Sequence, residues 1–192
     1  MPSLEYLLAE LTCGDEDRAE DASLQFIEYG DAAVDSLSEL YRSENVDNRW
    51  WAIRTFALFD HPQAKTSIAS ALQDENLGVQ QCAALALRDN PDPETIPFLT
   101  SLLGHKSMML SRLAGDALIK IGKEATQVVM DIVDNGSPAA RIEAVRVLAG
   151  IEDPESISSL FKLLDEESTF LRYWAEEGLH KMGVGMMFFK PE

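Results

Sequence analysis

The side chains with the most chemistry to offer in this 192-residue chain are its histidines and arginines. His61, His105 and His180 lie far apart, and none has a carboxylate at the spacing of a His–Glu metal-ligand pair. Neither a nucleophile–base signature nor a glycine-rich phosphate loop is present. The sequence therefore predicts no catalytic residue, no metal site and no cofactor.

Arginine is more informative, because its planar guanidinium binds carboxylates in a bidentate geometry. Eight of the nine arginines fall in segments that contain an alanine followed four positions later by a large apolar residue. The pairs are Ala22/Phe26, Ala52/Phe56, Ala83/Leu87, Ala114/Leu118, Ala144/Leu148 and Ala175/Leu179. Successive alanines are 30 or 31 residues apart, a period typical of stacked helical repeats.

Each repeat contains two segments with apolar residues at helical spacing. We call the first the A helix and the second, which carries the alanine, the B helix. Asp92-Pro93 and Asp153-Pro154 are typical helix starts, and Gly30 and Gly122 typical helix ends. Pro97 predicts a kink inside the fourth A helix. The pattern predicts an all-α fold, an α-solenoid of six helix pairs with about twelve helices.

The uniform repeat predicts a single domain over residues 1–183. The repeats are expected at about 3–29, 31–59, 62–89, 93–121, 123–151 and 154–182. Residues 184–192 break the pattern and contain the apolar run Met186–Phe189. Because the last repeat of a solenoid needs a cover, this tail is expected either to cap the array or to dock on a second subunit as a homodimer.

The chain is strongly acidic, with 33 acidic against 16 basic residues and a net charge of −17. This charge disfavours nucleic acid and anionic membranes as partners. No apolar run approaches the ~20 residues of a membrane span, and no secretory signal precedes the first repeat. Cys13 and Cys82 lie two repeats apart, so we expect no disulfide and two small buried side chains. The composition indicates a cytoplasmic protein.

Three B helices carry an arginine three positions before the alanine, namely Arg49, Arg141 and Arg172. With this arginine and its short period, the unit resembles the HEAT-like repeat of the phycobilisome-lyase type from Leu4 to Met182. That family includes subunits that attach bilin chromophores to light-harvesting proteins or remove them, and many proteins that only bind other proteins. The resemblance implies the fold and carries over no catalytic residue, because the shared motif consists of packing positions.

A helical wheel separates two groups of arginines. Arg49, Arg141 and Arg172 lie on the flank and are expected to pair with acids that end neighbouring A helices, such as Asp74, Asp134 and Asp165. Positions −2, +2 and +5 from the alanine point away from the core and are expected to line a concave groove. The candidate partner-binding residues there are Trp50, Arg54, Arg88, Arg112, Arg146 and Tyr173. Packing between repeats is the alternative use of these outward side chains.

These residues favour a non-catalytic scaffold or adaptor that binds an acidic or mixed segment of another protein. The alternative is a bilin lyase-type subunit, in which the arginines hold bilin propionates and the aromatic residues stack on the chromophore. A HEAT-like DNA glycosylase is a remote alternative that the net charge opposes. The sequence leaves the identity of the partner, the binding of a bilin and the choice between monomer and homodimer open.

Overall fold

The computed structural model describes residues 2–184, and every regular element in that range is helical. The α-helices are α1 (Leu4–Leu11), α2 (Glu16–Gln25), α3 (Asp31–Tyr41), α4 (Val46–Phe56), α5 (Pro62–Ala71), α6 (Leu77–Asp89), α7 (Ile96–Ser101), α8 (Met108–Ile121), α9 (Thr126–Asn135), α10 (Pro138–Ile151), α11 (Ile157–Leu163) and α12 (Thr169–Lys181). Odd-numbered helices are the A helices and even-numbered helices the B helices. The predicted all-α solenoid fold of six helix pairs is confirmed.

The chain divides into two compact units, Met1–Asn90 and Pro91–Glu192. The first contains α1–α6 and the second α7–α12, three helix pairs in each. Within the first unit α4 packs between α2 and α6, and within the second α10 packs between α8 and α12. The B helices of each unit therefore form one layer. The single domain over residues 1–183 stays a prediction.

The repeating alanine and its large apolar partner form the core of every helix pair. All twelve of these residues are buried, from Ala22 and Phe26 in the first pair to Ala175 and Leu179 in the last. Burying one large apolar side chain contributes about 1.5–3 kcal/mol relative to leaving it exposed. The predicted register of the B helices is thus confirmed throughout the described residues.

Every B helix begins with a short polar residue that accepts a hydrogen bond from a backbone N–H of the first turn. These N-caps are Asp15, Asn45, Asn76, Ser107, Ser137 and Ser168, each seven positions before the repeating alanine. Such a cap stabilises a helix by about 1 kcal/mol. The six caps fix where each B helix starts, and therefore where its outward residues lie.

The turns agree with the sequence in part. Gly30 and Gly122 precede A-helix segments with φ of 55° and 85°, a region that favours glycine, as predicted. Pro97, however, does not kink a long helix. The 3₁₀ turn Pro93–Thr95 comes first and α7 begins at Ile96, so Pro97 occupies the first turn, where its missing N–H needs no partner.

Both cysteines are free thiols, but only Cys82 is buried, whereas Cys13 is exposed. Cys13 therefore does not take the buried place that its residue type predicted, because it lies in the loop between α1 and α2. No helix among residues 2–184 is both long and apolar enough to cross a membrane. The predicted capping or docking run, Met186–Phe189, lies outside the described residues.

Candidate partner-binding surface on the B helices

The outward positions of the B helices leave large apolar side chains exposed to solvent. Leu24 is 52% exposed, Leu85 37% and Tyr173 55%, and Ile27, in the 3₁₀ turn that directly follows α2, is 49% exposed. Among the described A helices, large exposed apolar residues are confined to Tyr6 and Val128. Packing between repeats therefore leaves these four side chains uncovered, although it buries other outward residues such as Ala149. We call these outward positions, in each unit separately, the B-helix surface.

The first unit brings Trp50, Arg54 and Arg88 to this surface. Arg54 is half-buried and forms an ion pair with Glu20 on α2, one repeat earlier. Arg88 pairs with the adjacent Asp89, at 2.9 Å between Nη2 and Oδ1. Both guanidinium groups are thus neutralised within their own unit, and neither acts as an isolated positive charge.

Trp50 lies beside Trp51 in an edge-to-face pair, with ring centroids 4.9 Å apart and planes at 87°. The two rings line a cleft of about 740 Å³ at the start of α2 and α4. The buried Cys82 lies next to this pair, with Sγ 3.9 Å from the carbonyl oxygen of Trp50. Burial raises the pKa of the Cys82 thiol to about 12, although Arg54 opposes the rise, which disfavours the thiolate at neutral pH.

The second unit brings Arg112, Arg146 and Tyr173 to its B-helix surface, but Arg146 is buried, at 8% exposure. Its guanidinium is held by Asp116 at 2.8 Å on α8 and by Glu143 on α10, with Nε 2.7 Å from Oε1. Gly115 makes room for it, since a Cβ there would lie 2.5 Å from Nη2 of Arg146. Arg146, predicted to line an open groove, is instead a paired and buried group.

Arg112 remains available to solvent, with half of its side chain exposed. Its Nη1 lies 3.5 Å from Oε2 of Glu143, a carboxylate that also pairs with Arg146. Its guanidinium carbon lies 6.0 Å from the ring centroid of Trp174. Trp174 in turn contacts Tyr173 edge to face, at 5.0 Å between centroids. A cation over an aromatic ring is stabilised by the ring quadrupole. This arrangement presents one guanidinium and two aromatic rings together.

The flank arginines have a structural role in two cases out of three. Arg49 binds both carboxylate oxygens of Asp74, at 2.9 and 3.0 Å, and donates to the carbonyl oxygens of Ser43 and Glu44, each at 3.1 Å. Hydrogen bonding to Asp74 raises the pKa of the Arg49 guanidinium above its ordinary value, against the effect of burial. The predicted Arg49–Asp74 pair is thus confirmed.

Arg141 binds Glu166 at 2.8 Å and the carbonyl oxygen of Val133 at 2.8 Å, rather than Asp134 or Asp165. Arg172 is exposed and forms no ion pair within the described residues, so its predicted pairing is not seen there. Asp165 and Glu166 both lie in the turn after α11, and of the two it is Glu166 that reaches Arg141.

The structure adds residues that the sequence did not single out. They are Trp51 and Trp174, the carboxylate Glu143, and the acidic residues of the first-unit cleft. The doublets Trp50-Trp51 and Tyr173-Trp174 were the available signal, because both stand at the same place in their repeats. Residues 2–184 contain no group of three or more His, Cys, Asp or Glu side chains that could hold a metal ion.

A family model for HEAT repeats matches residues 34–119 and 107–180, which together make up most of the chain. The chain belongs to the HEAT-repeat family. The chain is also similar to the phycobilisome maturation protein of Synechococcus elongatus, with 32% identity over 101 residues. This match covers 52% of the chain and 49% of the relative, so the chain aligns with about half the length of that protein.

Solved structures share the same fold. The archaeal HEAT-like repeats protein of Thermococcus onnurineus NA1 is 16% identical, with a TM-score of 0.64 over 100% of this chain and 84% of that one. The complex of CpcE and CpcF of phycocyanin lyase from Nostoc sp. PCC7120 is 21% identical, with a TM-score of 0.54 over 95% of this chain and 79% of that one. The resemblance to HEAT-like repeats of the phycobilisome-lyase type is confirmed.

Proposed function

We propose that this HEAT-repeat chain is a non-catalytic scaffold that binds another protein on its B-helix surface. One observation carries the proposal: Leu24, Leu85 and Tyr173 are exposed at outward positions of the B helices, and Ile27 is exposed in the turn that follows α2. Large apolar and aromatic side chains at the centre of a patch, with arginine beside them, are typical of protein interfaces. Exposing these apolar side chains to water is unfavourable, so a partner that covers them binds with the free energy of burying their surface.

The charges of the same surface support a mixed partner segment. Arg54, Arg88 and Arg146 are paired with carboxylates of their own unit, so they do not form a field of free positive charge. Arg112 carries the exposed guanidinium beside Trp174 and is the residue best placed to donate hydrogen bonds to a carboxylate of the partner. We therefore expect a partner with apolar anchors and charges of both signs.

The solved structures lend support to a protein as the partner. The phycocyanin lyase structure from Nostoc is a complex of two chains, CpcE and CpcF, and shares the fold of this chain. A fold does not determine function by itself; the residues of the sites that it carries do. We infer that the outward B-helix positions, rather than the fold, determine which protein is bound.

The test compares two matched double variants of the full chain. Leu24→Glu with Leu85→Glu places charge on the B-helix surface, and Tyr6→Glu with Val128→Glu places the same charge on exposed A-helix positions. A partner is first identified by crosslinking and capture from source lysate, and its affinity is then titrated. The B-helix variant should bind at least about tenfold more weakly, because two interface anchors are lost. Wild-type affinity in that variant, or an equal loss in the A-helix variant, would overturn the proposal.

The second candidate is a bilin lyase-type subunit, and the 32% identity with a phycobilisome maturation protein favours it. In that function Arg112 would bind a propionate, and Tyr173 and Trp174 would contact the chromophore rings. The purified chain should then shift the visible absorbance of an added phycobilin, and Arg112→Glu should abolish the shift. An unchanged bilin spectrum at excess chain would remove this candidate and leave the scaffold function in place.

A further inference from the structure

The cleft in the first unit lies between the starts of two neighbouring B helices. Asp17 on α2 and Asp47 on α4 are each five positions before the alanine of their repeat, and Glu20 and Trp50 are each two positions before it. The register of the repeats therefore brings equivalent residues side by side at the cleft. Its six residues of interest are Glu16, Asp17, Glu20, Asp47, Trp50 and Trp51.

The charge of this cleft is negative and largely uncompensated. Arg54 binds Glu20, whereas Glu16, Asp17 and Asp47 form no ion pair with the described residues. The nearby Arg18 is held by Glu10 through two 2.7 Å hydrogen bonds. Two helix N-termini contribute roughly half a positive charge each, which offsets at most about one of the carboxylates. A net negative potential therefore remains in the cleft.

The surrounding unit strengthens this potential. Residues 1–90 contain six basic and 17 acidic side chains, whereas residues 91–192 contain ten basic and 16 acidic ones. The cleft volume of about 740 Å³ lies within the range of about 300–1,000 Å³ that is common for ligand sites. It is large enough to receive more than one side chain of a peptide.

Carboxylates and tryptophan rings together are the chemistry that recognises organic cations. The carboxylates attract the charge, and the face of a tryptophan binds a guanidinium or ammonium group by a cation–π interaction. We propose that this cleft binds an arginine- or lysine-bearing segment of the protein partner. The proposal rests on the protein-binding function proposed above and names the chemistry of one part of that partner.

The probe is a synthetic peptide of alternating lysine and arginine, compared with a peptide of alternating glutamate and serine of equal length. The full chain carries Trp174→Phe, so that tryptophan fluorescence reports on Trp50 and Trp51 alone. The basic peptide should change the fluorescence in a saturable manner, and binding should weaken as salt rises. The acidic peptide should leave the fluorescence unchanged.

Asp17→Asn with Asp47→Asn should weaken binding of the basic peptide at least about tenfold, because two negative charges that line the cleft are removed. Asp35→Asn with Asp131→Asn is the charge-matched control, since both residues are exposed on A helices. The control should keep wild-type affinity. Thermal melting of both variants verifies that the fold is retained.

Three results would overturn the proposal: no binding of the basic peptide at low salt, an equal loss in both aspartate variants, or binding of the acidic peptide in its place. An equal loss would mean that only the net charge of the chain attracts the peptide. These failures are separable from failure of the proposed function. If Leu24→Glu with Leu85→Glu releases the partner while the cleft variant retains it, the B-helix surface binds a protein without using the cleft.

Discussion

The two units of the chain bury different arginines. In the first unit the flank arginine Arg49 has 9% of its side chain exposed, and the outward Arg54 has 32%. In the second unit the flank arginine Arg141 has 28% exposed, and the outward Arg146 has 9%. Equivalent positions of one repeat therefore exchange their roles between the units.

The neighbouring helix explains this exchange. Arg146 packs against Gly115 and binds Asp116, both on α8. The equivalent residues on α2, next to Arg54, are Ser23, which is buried, and Leu24, which has no charge to offer. An arginine can be buried only where there is space for it and a carboxylate for its charge. Position in the repeat sets the direction of the side chain, and the preceding repeat decides its burial.

The largest expected effect is the removal of Arg49. Arg49→Ala leaves Asp74, whose side chain is 7% exposed, as a buried carboxylate without its cation, and frees two loop carbonyls. We expect the free energy of unfolding to fall by about 3–5 kcal/mol. Arg172→Ala, at an exposed flank position, should change it by less than about 0.5 kcal/mol. Denaturant unfolding measures both, and equal losses would contradict the structural distinction.

A smaller effect is expected from the outward arginines. Arg146→Ala should lower the free energy of unfolding by about 2–3 kcal/mol, because Glu143 loses its closest cation while solvent still reaches Asp116. Arg54→Ala should cost no more than about 1 kcal/mol, since its pair with Glu20 is partly exposed to solvent. Denaturant titration of the two variants tests the exchange of roles directly. The reverse order of the two losses would refute it.

The smallest effect is one of pH. Burial raises the pKa of Asp74, but hydrogen bonds from Arg49 and from the backbone N–H of Asn76 outweigh it, so the pKa lies below its ordinary value. The Asp74 carboxylate therefore binds a proton more readily in the unfolded chain than in the folded one. Its contribution to the free energy of unfolding is complete above about pH 4 and is lost as the pH falls through the pKa of the folded state. Asp74→Asn should make the free energy of unfolding less dependent on pH in the acidic range. Asp131→Asn is the charge-matched control. If Asp74→Asn keeps the wild-type dependence of stability on pH below about pH 4, the Arg49–Asp74 pair does not stabilise the fold in this way.

The fold could be predicted almost completely from local spacing. A period of 30 or 31 residues with a buried alanine requires the same packing in every repeat, so Ala52 and Phe56 predict the environment of Ala144 and Leu148. The prediction of a kink at Pro97 was wrong, because the same proline is equally compatible with the start of a helix after a 3₁₀ turn. Such choices depend on one or two residues and leave the helical period unchanged.

The candidate surface could be predicted only in outline. The wheel places Arg112 and Tyr173 outward, and both are exposed in the structure. It could not foresee that Arg146 is buried, because Gly115 and Asp116 lie about 30 residues away along the chain. The acidic cleft was missed for the same reason. It arises only because Asp17 on α2 and Asp47 on α4 line the same cleft, and neither residue is unusual in its own repeat.

Arg49 and Arg141 each bind a carboxylate that is synthesised later than the arginine itself. Each reaches a carboxylate 25 positions further along the chain, Asp74 and Glu166 respectively, in the loop of the following repeat. A ribosome adds about 5–20 residues per second, so the newly made guanidinium exists for about 1–5 s before its carboxylate has been synthesised. Each of these two repeats therefore depends on the repeat that follows it for the ion pair of its flank arginine.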